Sequence, residues 1–134
     1  MAKMQGLAHV GLFVNDLERS VTFYTDVLEF DVIWRCGLDE PDGTSTKIAF
    51  VKNGDLTIEI VGRAVAEERK DGWHDHIAIA VEDIEEVAGD LRKKGISFES
   101  AEPVFSDRVF PHGAKWLTFR GSDGEHLEIT EVLK

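Results

Sequence analysis

The sequence has few positive charges and a single cysteine, and both scarcities exclude whole classes of protein. Lysine and arginine number 15 against 26 aspartates and glutamates, which gives a formal net charge of −11 at pH 7. Nucleic acids and anionic membranes are bound through basic surfaces, so neither is expected as a partner. Cys36 has no second cysteine with which to form an internal disulfide, and this fits a reducing compartment.

Long apolar stretches are missing too. No run approaches the roughly 18 apolar residues of a membrane span, and the opening MAKMQGLAHV lacks the apolar segment of a secretory signal. We therefore expect a cytoplasmic protein. With 134 residues, 43% of them hydrophobic, the chain fits a single domain over 1–134 or two half-domains that share one core.

Two segments of the chain repeat one pattern. Residues 8–28 read AHVGLFVNDLERSVTFYTDVL, and residues 75–95 read DHIAIAVEDIEEVAGDLRKKG. In each, a histidine opens an apolar run and an aspartate precedes a helix-like segment. His76 follows His9 by 67 positions, and the aspartates keep the same offset. A repeat of this length predicts that one supersecondary unit is used twice.

The first module is expected over 5–62 in the order β-α-β-β-β. Its predicted helix is capped by Asn15 or Asp16 and carries an apolar stripe at helical spacing. That stripe consists of Leu17, Val21, Tyr24 and Leu28. Strands are predicted at 7–14, 31–36, 46–51 and 55–61, with a turn over 37–43.

The second module is expected over 75–134, after a polar connection at 63–74 in which a helical turn is one option. Its first strand leads to a helix capped by Asp83, with Glu86 three residues on and Gly95 as the stop. Further strands are predicted at 96–99, 114–120 and 125–132, with a long loop over 100–113. The fold class is α+β.

Each module also ends on an alternating strand with a central acid, LTIEIV or HLEITEV. Alternation places Glu59 and Glu128 opposite the aliphatic side chains, and it places His9 and His76 on the face away from the helices. Glu59 follows His9 by 50 residues, and Glu128 follows His76 by 52. A carboxylate among aliphatic residues is costly to bury unless it is paired or bound to a cation. Two imidazoles and two carboxylates suit nickel, cobalt, zinc, iron or manganese, so we predict that these four residues bind a divalent metal.

A simpler interpretation exists for each of these residues taken singly, because polar alternation is normal on the solvated face of a sheet. The recurrence of residue type, spacing and face in both modules favours the metal site. An ordinary loop or surface position is the simpler interpretation of three other histidines, although each could support a site or contact a substrate. These histidines are His74, His112 and His126. Cys36 is expected to be a small buried hydrophobe. Three aromatic side chains could line a pocket, although core packing or a subunit contact is the simpler interpretation: Trp73, Phe110 and Trp116.

Together these residues resemble the vicinal oxygen chelate superfamily, which includes glyoxalase I, methylmalonyl-CoA epimerase, extradiol dioxygenases, and fosfomycin- and bleomycin-resistance proteins. The resemblance covers nearly the whole chain and rests on AHVGLFVNDLERSVTFYTDVLEF, LTIEIV, HIAIAVEDIEE and GSDGEHLEIT. It implies two β-α-β-β-β modules that form a cupped mixed sheet around a metal ion, usually in a homodimer. The ligands carry over as His9, Glu59, His76 and Glu128, and this set is most similar to that of glyoxalase I-like metalloenzymes.

The resemblance also implies a reaction. A metal-dependent lyase or isomerase would move a proton at a carbon next to a carbonyl, in a hemithioacetal or an acyl-CoA or 2-oxo-acid-like substrate, through a metal-bound enediolate. Glu128 or Glu59 would be the general base, and nickel or cobalt the favoured ion. Bacterial glyoxalase I holds glutathione with an Arg and an Asn where this chain has Phe13 and Arg63, so glutathione and CoA both stay open. An Fe(II) extradiol-type dioxygenase and a non-catalytic binding protein of the bleomycin-resistance type are the alternatives.

Overall fold

Each half of the chain folds into a four-stranded mixed sheet in which the first strand runs parallel to the last. The computed structural model describes residues 2–134. It divides them into a first unit that ends at Glu68 and a second unit, Arg69–Lys134. The grouping of the units into one domain over 1–134, with a connection at 63–74, stays a prediction.

The first unit has the sheet order β1-β4-β3-β2, with antiparallel pairing between β4, β3 and β2. Its elements are β1 (Val10–Val14), α1 (Leu17–Thr22), a π-helical turn (Phe23–Val27), β2 (Asp31–Asp39), β3 (Ser45–Asn53) and β4 (Leu56–Gly62). Alternation along β1 buries Leu12 and Val14 and leaves Gly11 and Phe13 exposed, as predicted.

The second unit repeats this order as β5-β8-β7-β6. Its elements are β5 (Ile77–Ala80), α2 (Ile84–Lys93), β6 (Val104–Ser106), β7 (Ala114–Arg120) and β8 (His126–Val132). Leu127 and Ile129 of β8 are buried, so Glu128 between them lies on the other face. Two β-α-β-β-β modules and the α+β class are thus confirmed.

Helix ends follow the predicted chemistry. Asp16 caps α1 by accepting a hydrogen bond from the backbone N–H of Arg19 at 3.0 Å, and Asp83 caps α2 by accepting from the N–H of Glu86 at 3.3 Å. Gly95 ends α2 with a φ of +96°, a conformation that glycine adopts without strain.

Four expectations about the chain path were wrong. The first helix does not stay α-helical to residue 28, because a π-helical turn begins at Phe23 and gives the buried Tyr24 an edge-to-face contact with Phe30. β2 continues through 37–39, so the predicted turn is shorter. Segment 96–99 is not a strand, since the hydrogen bond from the N–H of Glu99 to the carbonyl of Thr118 does not extend into a ladder. The predicted loop 100–113 contains β6, which pairs with β7.

Residues 63–76 contain no helical turn and no strand. Among residues 2–134, no helix combines the length and the apolar character needed to cross a membrane.

Candidate metal centre

The first unit brings together His9, which directly precedes β1, and Glu59 of β4. Parallel pairing of the two strands places Gly11 beside Glu59. His9 Nε2 lies 3.7 Å from Glu59 Oε1, and the two side chains are 42% and 25% exposed. The pair can therefore be reached from solvent, although the carboxylate is mostly covered.

An aromatic ring contacts this first pair. Register across the sheet places Phe50 of β3 opposite Glu59, and Trp34 of β2 opposite Phe50. The ring of Phe50 also meets the imidazole of His9 edge to face, with 5.7 Å between the centroids. Apolar rings do not solvate a carboxylate, so the surroundings of Glu59 favour a positively charged partner.

The second unit repeats the pair with His76, which precedes β5, and Glu128 of β8. Ala78 lies beside Glu128 in the parallel register. His76 Nε2 is 3.8 Å from Glu128 Oε2. The same carboxylate oxygen accepts a hydrogen bond of 2.6 Å from the hydroxyl of Thr130. Glu128 is only 15% exposed, so the hydroxyl restrains a largely covered carboxylate.

Around His76 the second unit has a cluster that sequence reasoning missed. Asp75 Oδ2 lies 3.0 Å from Nδ1 of His76 and 3.2 Å from Nδ1 of His126. Nε2 of His126 lies 2.7 Å from Oε1 of Glu99. Hydrogen bonds from His76 and then from His126 hold the pKa of the Asp75 carboxyl below its ordinary value of 3.8. Asp75 is therefore an ionised acceptor near neutral pH.

Asp75, His76 and His126 also form the one group of three metal-binding side chains that comes together among residues 2–134, with ligand atoms within 4.8 Å of one another. His76 thus belongs to two arrangements. Its Nε2 faces Glu128, while its Nδ1 faces Asp75. Because the two nitrogens point to different partners, Asp75 can hold the ring without occupying the nitrogen that faces Glu128.

Ion pairs fasten the segment that carries Asp75 to the hairpin of β7 and β8. Arg69 donates to the carboxylate of Asp123 at 2.7 Å. Asp71 accepts two hydrogen bonds from Arg120, at 2.6 and 2.9 Å, and this pairing lowers the pKa of the Asp71 carboxyl below 3.8. The segment is irregular, yet it is attached at both positions before it reaches Asp75.

The structure arranges the four predicted ligands as two His–Glu pairs, one in each unit. Phe13 and Arg63 lie in contact in the first unit, with the guanidinium 5.1 Å from the ring centroid. His126 was expected to be an ordinary surface residue, and this was wrong, because its side chain is only 15% exposed and bonds to two carboxylates.

Two of the aromatic side chains lie outside the core, so a subunit contact stays the prediction for them. Trp73 is fully exposed and Phe110 is 55% exposed, so neither belongs to the core of its unit. Trp116 and Cys36 are half-buried. His74 and His112 are exposed loop residues, as the simpler interpretation had them.

Comparisons with known proteins agree with this architecture. A family model described as the Glyoxalase/Bleomycin resistance protein/Dioxygenase superfamily matches residues 6–130. YwbC, an uncharacterised protein of Bacillus subtilis (strain 168), is 26% identical over 121 residues that cover 90% of this chain and 93% of that protein.

Two solved structures show the same fold. The crystal structure of SMU.1112c has a TM-score of 0.77 and 29% identity, over 96% of this chain and 100% of that one. The trypanothione-dependent glyoxalase I of Leishmania major has a TM-score of 0.71 and 24% identity, over 96% of this chain and 87% of that one. At 24% identity, the likeness to the Leishmania major enzyme concerns the fold alone.

Proposed function

Since the chain belongs to the Glyoxalase/Bleomycin resistance protein/Dioxygenase superfamily, we propose that it is a divalent-metal-dependent lyase or isomerase of the glyoxalase I type. The observation that carries the proposal is the recurrence of one His–Glu pair in both units. His9 and Glu59 form the first pair, at 3.7 Å, and His76 and Glu128 form the second, at 3.8 Å. The four-ligand site stays a prediction: it would combine the two pairs, supplied by one chain or by two copies.

The donor chemistry fits such an ion. Bonds from zinc-like divalent metals to imidazole nitrogen and carboxylate oxygen are about 2.0–2.2 Å long, so two donors up to roughly 4 Å apart can share one ion. The measured separations within each pair fall inside that limit. Two nitrogens and two carboxylate oxygens suit nickel or cobalt, and also zinc, iron or manganese.

When bound, the ion supplies Lewis-acid polarisation of a substrate carbonyl. Glu128 or Glu59 would take the proton from the neighbouring carbon as general base, and the protonated carboxyl would then return a proton as general acid. The two acids are held differently. Thr130 tethers Glu128 with its hydroxyl, whereas Val61, the residue two positions after Glu59, has no hydroxyl to donate. Glu59 is also the more exposed of the two carboxylates, at 25% against 15%, and is therefore easier for a substrate to reach.

Substrate selection is expected to involve the exposed face that bears His9. Arg63 keeps a guanidinium there, stacked on Phe13 and paired with Glu67 at 3.2 Å. A local cation can attract an anionic substrate despite the acidic chain as a whole. Screening should therefore include hemithioacetals of methylglyoxal with glutathione and with a neutral thiol, and acyl-CoA epimers.

Calorimetric titration of metal-stripped protein with Ni(II) tests the proposed centre. The wild type should bind one ion per chain, and Glu59→Gln should weaken binding at least about tenfold, because a charged ligand becomes a neutral amide. Glu18→Gln is the matched control. Glu18 lies on α1 of the same unit, and its carboxylate pairs with Arg35. This variant should therefore bind Ni(II) like the wild type. No binding by the wild type, or equal binding by Glu59→Gln, would show that the metal centre is wrong.

Proton exchange tests the reaction class. With a substrate of the proposed class, the metal-loaded protein should transfer deuterium from the solvent to the carbon next to the carbonyl. Proton NMR of the substrate measures this transfer. Oxygen uptake with a catechol, only with ferrous iron, would instead indicate a dioxygenase. Ligand binding by a protein that takes up no metal would indicate the non-catalytic alternative.

A further inference from the structure

We infer that Asp75 is a positioning residue that fixes the tautomer and the direction of His76, so that Nε2 of His76 is kept for the metal. The inference deepens the proposed function and rests on it. Asp75, His126 and Glu99 are here named the carboxylate clamp. Their contacts lie entirely within the second unit.

The first step is donor counting at Asp75. An ionised carboxylate accepts hydrogen bonds and cannot donate them. Nδ1 of His76 and Nδ1 of His126 both lie within hydrogen-bond distance of the same oxygen, at 3.0 and 3.2 Å. For the contact between Asp75 and His76 to be a hydrogen bond, Nδ1 of His76 must carry the hydrogen. In a neutral His76 the lone pair is left on Nε2, the nitrogen that faces Glu128 at 3.8 Å.

The second step is that Asp75 is itself held in place. His126 starts β8 and is only 15% exposed. Its far nitrogen lies 2.7 Å from Glu99, and the backbone N–H of Glu99 donates to the carbonyl of Thr118 in β7 at 2.9 Å. The sheet thus fixes His126, and His126 fixes Asp75. A carboxylate bonded to the outer nitrogen of a metal-binding histidine raises metal affinity, and loss of such a partner typically costs about 10–100-fold.

The third step is a comparison with the first unit. The position that matches Asp75 at the 67-residue offset is Ala8, whose methyl group offers no acceptor. His9 instead has the ring of Phe50 against it. The duplicated pairs are therefore not equivalent, because a carboxylate orients His76 whereas an aromatic ring contacts His9.

A competing interpretation makes Asp75, His76 and His126 themselves the metal ligands. The two interpretations differ in what an amide at position 75 does. Asn keeps a carbonyl oxygen that can accept from Nδ1 of His76, so Asp75→Asn should retain most of a positioning role. As a metal ligand the neutral amide would be much poorer than the carboxylate, so Asp75→Asn would then behave like Asp75→Ala.

The test combines long-range ¹⁵N–¹H NMR of the histidine rings in the metal-free protein with Ni(II) calorimetry. His76 should be in the Nδ1–H form in the wild type and in the control Asp90→Ala, which removes an equal charge from an exposed position of α2 in the same unit. Asp75→Ala should lose that form and bind Ni(II) about 10–100-fold more weakly. Asp75→Asn should stay close to the wild type in both measurements.

Contrary results are equally clear. An Nε2–H form in the wild type, or an unchanged ring and affinity in Asp75→Ala, would overturn the inference. Equal, large losses of affinity in Asp75→Asn, Asp75→Ala and His126→Gln would assign the cluster as the ligand set and overturn it too. If the wild type bound no Ni(II) while the Nδ1–H form held, the proposed function would fail and the orientation of His76 by Asp75 would stand.

Discussion

Replacing Gly121 with alanine should destabilise the second unit, because the new methyl group would displace a buried carboxylate. A Cβ at position 121 would overlap the carboxyl group of Glu125. Glu125 is 4% exposed, and its Oε1 accepts a hydrogen bond of 2.9 Å from the N–H of Asp123. The side chain cannot swing away without breaking that bond.

The magnitude follows from the bond that is lost. A hydrogen bond to a charged group contributes about 1.5–3 kcal/mol to stability. The bond at risk is the one that the N–H of Asp123 donates to the buried carboxylate of Glu125. We therefore expect Gly121→Ala to lower the free energy of unfolding by about 2 kcal/mol. With a urea m-value of about 1.5 kcal/mol/M, the midpoint would fall by roughly 1.3 M.

Urea unfolding followed by circular dichroism measures this change, and two further variants test its cause. Gly89→Ala is the control, because nothing lies within 4 Å of its Cβ position inside α2, and it should stabilise by about 0.5–1 kcal/mol. In a Glu125→Ala background, Gly121→Ala should cost little, since the clashing group is gone. An unchanged midpoint for Gly121→Ala, or an equal cost in both backgrounds, would refute the reasoning.

Two other predictions concern acid stability and assembly. The folded pKa of Asp71 lies below 3.8 because of its hydrogen bonds with Arg120, so its stabilisation is present above pH 3.8 and is lost as pH falls through the folded value. Between pH 5 and pH 3, Asp71→Asn should lose less stability than the wild type. The double variant Asp71→Asn/Arg120→Gln should lose no less than Asp71→Asn alone. A loss in Asp71→Asn equal to that of the wild type would contradict this prediction. The homodimer implied by the resemblance would cover β2, whose Trp34 is 65% exposed. Light scattering should give about twice the chain mass of 15.0 kDa for the wild type and the monomer mass for Trp34→Glu; equal masses would exclude this surface as the interface.

The sequence singled out the two histidines and the two glutamates because repetition and alternation are local signals. The offset of 67 residues aligned the histidines, and alternation assigned Glu59 and Glu128 to the polar face. Parallel pairing then brought each acid beside its histidine. Whether all four residues hold one ion stays a prediction.

The carboxylate clamp could not be predicted in this way. Glu99 and His126 are 27 residues apart, and Asp75 and His126 are 51 apart, with no periodicity to connect them. Their contacts depend on tertiary structure, including how segment 96–99 passes β7 without joining the sheet. The π-helical turn at Phe23 was missed for a similar reason, since an apolar stripe does not distinguish an α-helix from one wider turn.

The parallel pairing of first and last strands also dictates when each His–Glu pair can form. During folding, the histidine and the glutamate of one unit must meet across about 50 intervening residues, and closing such a loop costs on the order of 3 kcal/mol in chain entropy. Three strands and a helix are synthesised before the fourth strand brings the acid. Because β4 and β8 each lie between the first strand and the rest of their sheet, a chain that lacks either one loses the acid and also the strand with which the first strand pairs.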